Sequence, residues 1–296
     1  MNISIKTNKE IKILFVSLLL LGLCVLISRY PLPENNEAQQ QETRSPMDLD
    51  LHSAAYLIGC IDSGEVVFSF NADRALYPAS LSKIATMDAV LHLCPDLQQT
   101  SSISYSQIRD LIRQDAALAG LQADKGYSIE DLLYALTLPS GADAAIALEN
   151  WFRKQDMDLV EQINIRAGEL GCRDSFFTNT TGLHDDEHRM SLDDLFLFIR
   201  DVMRFDCGRQ IMTSLFHRMA DELDLISTVK ALGYSGKVDI LGGKSGYTEE
   251  SGQSIVVIYR FDGSTYALIL ANAFGDPGEG EFWHREDARR IFEYLY

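Results

Sequence analysis

The hydrophobic and polar positions along the chain change period several times. Ile13 to Ile27 is almost continuously apolar, preceded by Lys6, Lys9 and Lys12 and followed by Arg29. A run this short reads as a membrane segment whose flanking Lys12 and Arg29 snorkel to the interface, with the lysine-rich end left in the cytoplasm. The alternative is a cleaved signal peptide, but no Ala-x-Ala site follows, and Leu23 is large for the position before Cys24. Residues 31–45 carry almost no large apolar side chain and predict a flexible linker. The expected organisation is therefore an anchor or signal segment over 1–30, a linker over 31–50 and one domain over 51–296, long enough to bury a real core.

Within that domain, Ala54 to Ile61 is strand-like, Asp62-Ser63-Gly64 is a turn signal, and Val66 to Phe70 is the return strand. Helical spacing dominates from about Ser80 to Ile226. Ser128-x-x-Asp131 and Ser191-x-x-Asp194 mark helix starts, and Trp151 to Leu170 reads as one helix ended by Gly171. After Gly243 the pattern returns to strands, Ser254 to Arg260 and Thr265 to Asn272, joined at Asp262-Gly263. His284 to Tyr296 reads as a final helix with Ala288, Ile291, Phe292 and Leu295 inward. Strands near both chain ends, with helices between, exclude a doubly wound parallel sheet. They predict an α+β fold, an antiparallel sheet flanked by helices with a helical subdomain.

Charge and cysteines narrow the function classes. The net charge is −17 over 296 residues, with no basic stripe outside the N-terminus; this disfavours nucleic-acid binding. Cys24 lies in the apolar run. Cys60, Cys94, Cys172 and Cys207 are scattered without C-x-x-C spacing, which argues against a structural zinc site and favours free thiols.

The chemistry begins at Ser80-Leu81-Ser82-Lys83. Pro78 fixes the backbone just before a helix start, and Ile84, Met87 and Leu91 repeat at helical spacing. Ser80 and Lys83 then share one helix face, where an amine can take the proton that makes a hydroxyl nucleophilic. Two further motifs follow in order, Ser140-Gly141-Ala142-Asp143 and Lys244-Ser245-Gly246. With Phe177-Thr178-Asn179-Thr180-Thr181-Gly182-Leu183 they make the chain, over about residues 53 to 296, resemble the low-molecular-weight D-alanyl-D-alanine carboxypeptidases, penicillin-binding serine peptidases of bacterial cell walls.

The resemblance implies a β-lactamase/transpeptidase-like fold and a site carried residue by residue. Ser80 is the expected nucleophile and Lys83 its base, depressed by burial and by the neighbouring Lys244 cation. Ser140 is the expected proton relay. Lys244, Ser245 and Gly246 form the substrate-binding strip, with Tyr247 as second oxyanion donor through its backbone. Arg285, at the start of the last helix, is expected to hold the terminal carboxylate, since a guanidinium fork suits one. Ala142 departs from the family's asparagine. The substrate would be the peptidoglycan stem peptide, β-lactams would be covalent inhibitors, and neither cofactor nor metal is expected. Many relatives add a β-rich domain and a C-terminal amphipathic anchor; the expectation is that this chain has neither. A single N-terminal span would then tether an extracytoplasmic domain to the cell membrane, with secretion after signal cleavage as the alternative. Other functional readings are a catalytically weak penicillin- or muropeptide-binding protein and a β-lactamase-like hydrolase. For the last, Glu149-Asn150 lacks the expected deacylating spacing. His184 and His188 could meet a metal only on a helix, which Gly182 and the acidic run between them oppose.

Overall fold

The computed structural model describes residues 49–233, 236–275 and 282–296. The apolar run over 13–27 and residues 31–48 of the expected linker lie outside them. No helix of the described residues is long and apolar enough to cross a membrane.

The chain opens with an antiparallel hairpin, β1 (Ser53–Cys60) and β2 (Val66–Phe70). A 3-10 turn, Ala79–Ser82, leads directly into α1 (Lys83–Leu93). The helical part continues through α2 (Tyr105–Arg113), α3 (Ile129–Thr137), α4 (Ala142–Arg153), α5 (Leu159–Leu170), α6 (Leu192–Val202) and α7 (Asp206–Met212). Two short ladders lie among them, β3 (Thr100–Ser101) with β4 (Tyr127–Ser128), and β5 (Phe216–Arg218) with β6 (Asp224–Ile226). The chain then returns to the main sheet with β7 (Asp239–Thr248), β8 (Gly252–Phe261) and β9 (Ser264–Ala273), and ends in α8 (Trp283–Leu295).

The five-stranded sheet has the order β2-β1-β9-β8-β7, and all its neighbours are antiparallel. The N-terminal hairpin thus pairs with the last strand, as the distribution of strand patterns predicts. Side chains alternate across the sheet with period two. Leu57, Val256, Ile258, Ala267 and Ile269 face the core shared with the helices. Tyr56, Ile58, Ile255, Val257, Tyr259, Leu268 and Leu270 face Ala288, Ile291 and Phe292 of α8. Because both faces are covered, β8 and β9 read as continuous apolar runs rather than alternating ones.

Two expectations need correction. The stretch Trp151 to Leu170 is two helices. The chain turns at Asp156 with φ 56, and Asp158 restarts the helix by accepting from the backbone N–H groups of Val160 and Glu161 at 2.8 and 3.3 Å. Gly171 ends it in the left-handed conformation, φ 82. The second correction is β7, which carries Lys244-Ser245-Gly246 on a strand. Its glycines and lysine have low strand propensity and hide it from a pattern search. Ser128 and Ser191 do cap their helices, accepting from Asp131 and Asp194 N–H at 3.0 and 3.1 Å.

Candidate active site

Ser80 sits in the 3-10 turn and Lys83 is the first residue of α1, one turn on. Two close backbone approaches fix that turn. A Cβ on Gly182, whose φ is +71, would lie 2.8 Å from Ser80 Cα, and a Cβ on Gly246 would lie 2.9 Å from Ser80 N. Ala79 holds a left-handed φ of 46 and Ser140 one of 68. Such backbone costs about 1–3 kcal/mol per residue and persists only where the surroundings impose it.

Lys83 is 2 % exposed. Its Nζ donates to Ser80 Oγ at 2.8 Å or accepts from it, and it reaches Ser140 Oγ at 3.5 Å and the Thr181 carbonyl oxygen. A neutral amine has two N–H groups and one lone pair. With Thr181 O and Ser140 Oγ taking the N–H groups, the lone pair is left facing the Ser80 hydroxyl. Burial lowers the Lys83 ammonium to about 7, against a smaller opposing pull from Asp143. That value lets a neutral amine exist at physiological pH.

Lys244 is 0 % exposed and donates to the Ser245 carbonyl at 2.7 Å. Burial holds it well below the ordinary lysine range, and the charge of Lys83 adds to this. Burial is thus the first cause of the depression for both lysines, and repulsion between their neighbouring charges is the second cause at Lys244.

Ser140 occupies the turn between α3 and α4, and the Gly141 N–H donates to Ala135 O at 2.9 Å. Asp143, three residues on from Ser140, organises the opposite wall. Its carboxylate accepts from the N–H groups of Ala119, Gly120 and Leu121 at 2.8, 2.9 and 3.0 Å. The Ala142 N–H donates to Ala117 O at 2.7 Å, tying the same loop to α4.

Ser80, Lys83, Ser140, Ala142, Ser245, Gly246, Tyr247 and Arg285 line one cavity of about 730 Å³; Lys244 lies buried beneath the Ser245 strip. On the β7 side, Ser245 N–H donates to Thr228 Oγ1 at 3.2 Å. Tyr247 is 63 % exposed at the rim. The Arg285 guanidinium lies 4.1 Å from the centre of the Phe282 ring and donates to Thr228 O at 3.5 Å. Its Nε is buried with no partner among the described residues. Burial, then Arg289, lowers its pKa. The geometry thus holds a half-satisfied guanidinium at the edge of the cavity.

The predicted residues are therefore brought together. Those missed are Thr181, whose contribution is a backbone carbonyl, and Asp143 and Thr228, which brace the two walls. Asp143 left a trace in the sequence as the acid inside the middle motif, and Thr181 as a member of the Phe177 to Leu183 stretch, though without a role. His184 and His188 do not converge on a metal. His188 is buried and accepts from Thr178 N–H at 3.0 Å, and His184 packs edge-on against Tyr77. Among the described residues, Asp88, His92 and Asp201 do cluster at ligand distance. However, Arg166 already supplies the cation, at 3.0 Å from Asp88 and 3.1 Å from Asp201. Cys60, Cys94, Cys172 and Cys207 are free thiols, as expected.

This serine–lysine pair beside an antiparallel sheet is the arrangement shared by penicillin-binding proteins and serine β-lactamases. The family profile described as D-alanyl-D-alanine carboxypeptidase, peptidase S11, matches residues 38–274, and the chain belongs to that family. D-alanyl-D-alanine carboxypeptidase DacF of Bacillus subtilis is 24% identical over 198 residues, which is 64% of this chain and 49% of the relative. DacB2 of Mycobacterium tuberculosis is 25% identical over 245 residues, covering 81% of this chain and 80% of the relative. The chain thus spans about half the length of the first of these relatives. The Streptomyces K15 DD-transpeptidase superposes with a TM-score of 0.73 at 20% identity, covering 83% of this chain and 98% of that one, and shares the fold.

Proposed function

We propose that this chain is a serine-type D-alanyl-D-alanine carboxypeptidase that trims the terminal D-alanine from peptidoglycan stem peptides. The observation that carries the reading is the 2.8 Å contact between the buried Lys83 Nζ and Ser80 Oγ, with Ser140 Oγ at 3.5 Å from the same amine. Lys83 takes the Ser80 proton as Oγ attacks the carbonyl carbon of the penultimate D-alanine. The backbone N–H groups of Ser80 and Tyr247 receive the developing oxyanion. Ser140 passes a proton to the departing nitrogen, since a hydroxyl both donates and accepts. Arg285 holds the leaving carboxylate, and water then hydrolyses the acyl-enzyme. A β-lactam would enter the same path and remain as the ester on Ser80.

Ala142 favours one second reading, a catalytically weak penicillin-binding protein, because it lines the cavity without the amide the family uses to hold substrate. A β-lactamase fits less well. Glu149 lines a separate cavity with Arg153 and Asp158, away from Ser80. The test is a pair of assays on the full chain, labelled penicillin for acylation and a pentapeptide ending in D-Ala-D-Ala for turnover. Acylation with turnover supports the carboxypeptidase. Acylation without it supports the weak binder, and rapid penicillin hydrolysis supports the lactamase. Peptidoglycan lies outside the membrane, and the apolar run over 13–27 with its preceding lysines supports a single N-terminal span. Recovery of the full chain in the soluble fraction, with an N-terminus beyond residue 24, would overturn that placement.

A further inference from the structure

The Lys83 amine is oriented by a backbone carbonyl, and that carbonyl has its own support. Thr181 O belongs to the segment 179–182, which is held from three directions. Asn179 Oδ1 accepts from the N–H groups of Thr181 and Gly182 at 3.2 and 2.8 Å. Thr86 Oγ1, from α1, donates to Thr180 O at 3.4 Å. Thr180 Oγ1, fully buried, donates to Glu149 Oε1 of α4 at 2.6 Å. Glu149 is thus the only carboxylate bound to this segment's side chains among the described residues. Burial raises its pKa against the opposing pulls of Thr180 and Arg153. Besides an ion pair with Arg153 at 3.7 Å, the carboxylate is committed to the Thr180 hydroxyl, and a partly buried acid is unfavourable unless such a partner is held in place.

We propose that Glu149 is a positioning residue for Lys83: its carboxylate fixes Thr180, and so fixes the neighbouring Thr181 carbonyl that aims the Lys83 lone pair at Ser80. This rests on Lys83 being the base. Glu149 touches neither the cavity nor the nucleophile. The connection runs from α4 through two residues of main chain to the first residue of α1. The charged and titratable groups facing Lys83 are Lys244 of β7, Asp143 of α4 and, further off, His188. Those facing Glu149 are Arg153, 3.7 Å away on its own helix, and Asp158. Asp143 shares α4 with Glu149 but is hydrogen-bonded to the Ala119, Gly120 and Leu121 N–H groups, so the hydrogen-bonded route from Glu149 to Lys83 is the strap 179–182.

The test uses Glu149→Ala, Glu149→Gln and Thr180→Val in the full chain. Two readouts serve, the pH dependence of Ser80 acylation by penicillin and the titration of the Lys83 Cε carbon by 13C NMR. A carbonyl that accepts from Lys83 favours its charged form, so releasing it moves the titration to lower pH. Glu149→Ala and Thr180→Val should lower the plateau acylation rate about tenfold. They should move both the acid limb and the Cε midpoint acidward by at least about half a pH unit. Glu149→Gln keeps an oxygen acceptor for Thr180 and should restore most of the rate. A merely structural role would lower melting temperature and leave the midpoint where it is. Wild-type midpoints in Thr180→Val, which retains the volume of the side chain, overturn the proposal even if Glu149→Ala fails to fold. Absence of peptide turnover in the wild-type chain with acylation intact would instead defeat the carboxypeptidase reading and leave this one standing.

Discussion

The floor of the cleft and its rim are built in contrary ways. On the floor, Lys83, Lys244 and Ser140 are 2, 0 and 6 % exposed, and Lys83 is hydrogen-bonded to Ser80, Ser140 and Thr181 from separate segments. At the rim, Tyr247 and Phe282 are 63 and 49 % exposed, and the Arg285 guanidinium has a single long hydrogen bond to Thr228. The difference follows from the tasks. Proton transfer needs groups fixed within hydrogen-bond reach and dry enough to shift a pKa. Substrate capture needs donors left open until the ligand supplies their partners. Floor residues should therefore act on the rate constant for acylation, and rim residues on the recognition of particular substrate groups.

The largest effects belong to the floor. Ser80→Ala should abolish the covalent penicillin adduct, and Lys83→Ala should cut acylation by about 10²–10⁴-fold; mass spectrometry and stopped-flow kinetics check both. Ser82 is 1 % exposed, and its Oγ donates to Ala79 O at 3.0 Å. An adduct on Ser82 would break the assignment of the floor. Acylation should also rise with pH through about 7, because the base must be neutral and burial places Lys83 there. The same shift has a stability consequence. Between about 7 and the ordinary lysine value of 10.5 the unfolded chain binds more protons at this residue than the folded one. Stability against urea should therefore increase with pH across that window, and Lys83→Ala should flatten the increase.

Gly182 tests whether the floor needs its close backbone contacts. A Cβ there would sit 2.8 Å from both Ala79 C and Ser80 Cα, at a φ of +71. Gly182→Ala should cost about 1–3 kcal/mol of stability and about 10²-fold in kcat/KM, through displacement of the nucleophile. Unchanged kinetics with a lowered melting temperature would mean that the turn at Ser80 tolerates movement. For the rim, Arg285→Ala should lower kcat/KM for a peptide with a free terminal carboxylate by about 10–100-fold. Arg285→Lys should recover little, because an ammonium lacks the fork. A C-terminally amidated peptide should be indifferent to either change; equal losses on both peptides would remove Arg285 from carboxylate recognition.

The contrast also governs what could be read in advance. Ser80 and Lys83 are one helical turn apart, so their meeting is local; the spacing permits it, and the two later motifs in order make it specific. The strands β1, β2, β8 and β9 and the inward face of α8 follow from periodicity, which survives in any one sequence. Thr181 was marked only as part of the Phe177 to Leu183 stretch, and its role stayed hidden because a carbonyl belongs to every residue type. Thr228 was hidden because it meets Ser245 only through the folding of β7 alongside it. Glu149 could be excluded as a deacylating residue by spacing, but its bond to Thr180 joins residues 31 apart in sequence. The break at Lys154 to Asp158 was missed because it contains neither glycine nor proline; Asp156 takes the left-handed turn instead.

The smallest expected effect lies where the two walls meet. Ala142 is the first residue of α4 and 1 % exposed, yet it lines the cavity beside Ser140. Its backbone N–H is occupied by Ala117 O, so only the side chain differs from the family pattern. An asparagine amide there could hydrogen-bond the substrate backbone, a contact worth about 0.5–1.5 kcal/mol and thus at most about tenfold in rate. Ala142→Asn should therefore raise kcat/KM for the pentapeptide modestly and leave the acid limb near pH 7 in place, since the amide carries no charge. A fall in kcat/KM with an unchanged melting temperature would show that the loop Asp115 to Ala117 has taken over the space. The alanine would then belong to a rebuilt corner of the floor and not to an unfinished rim.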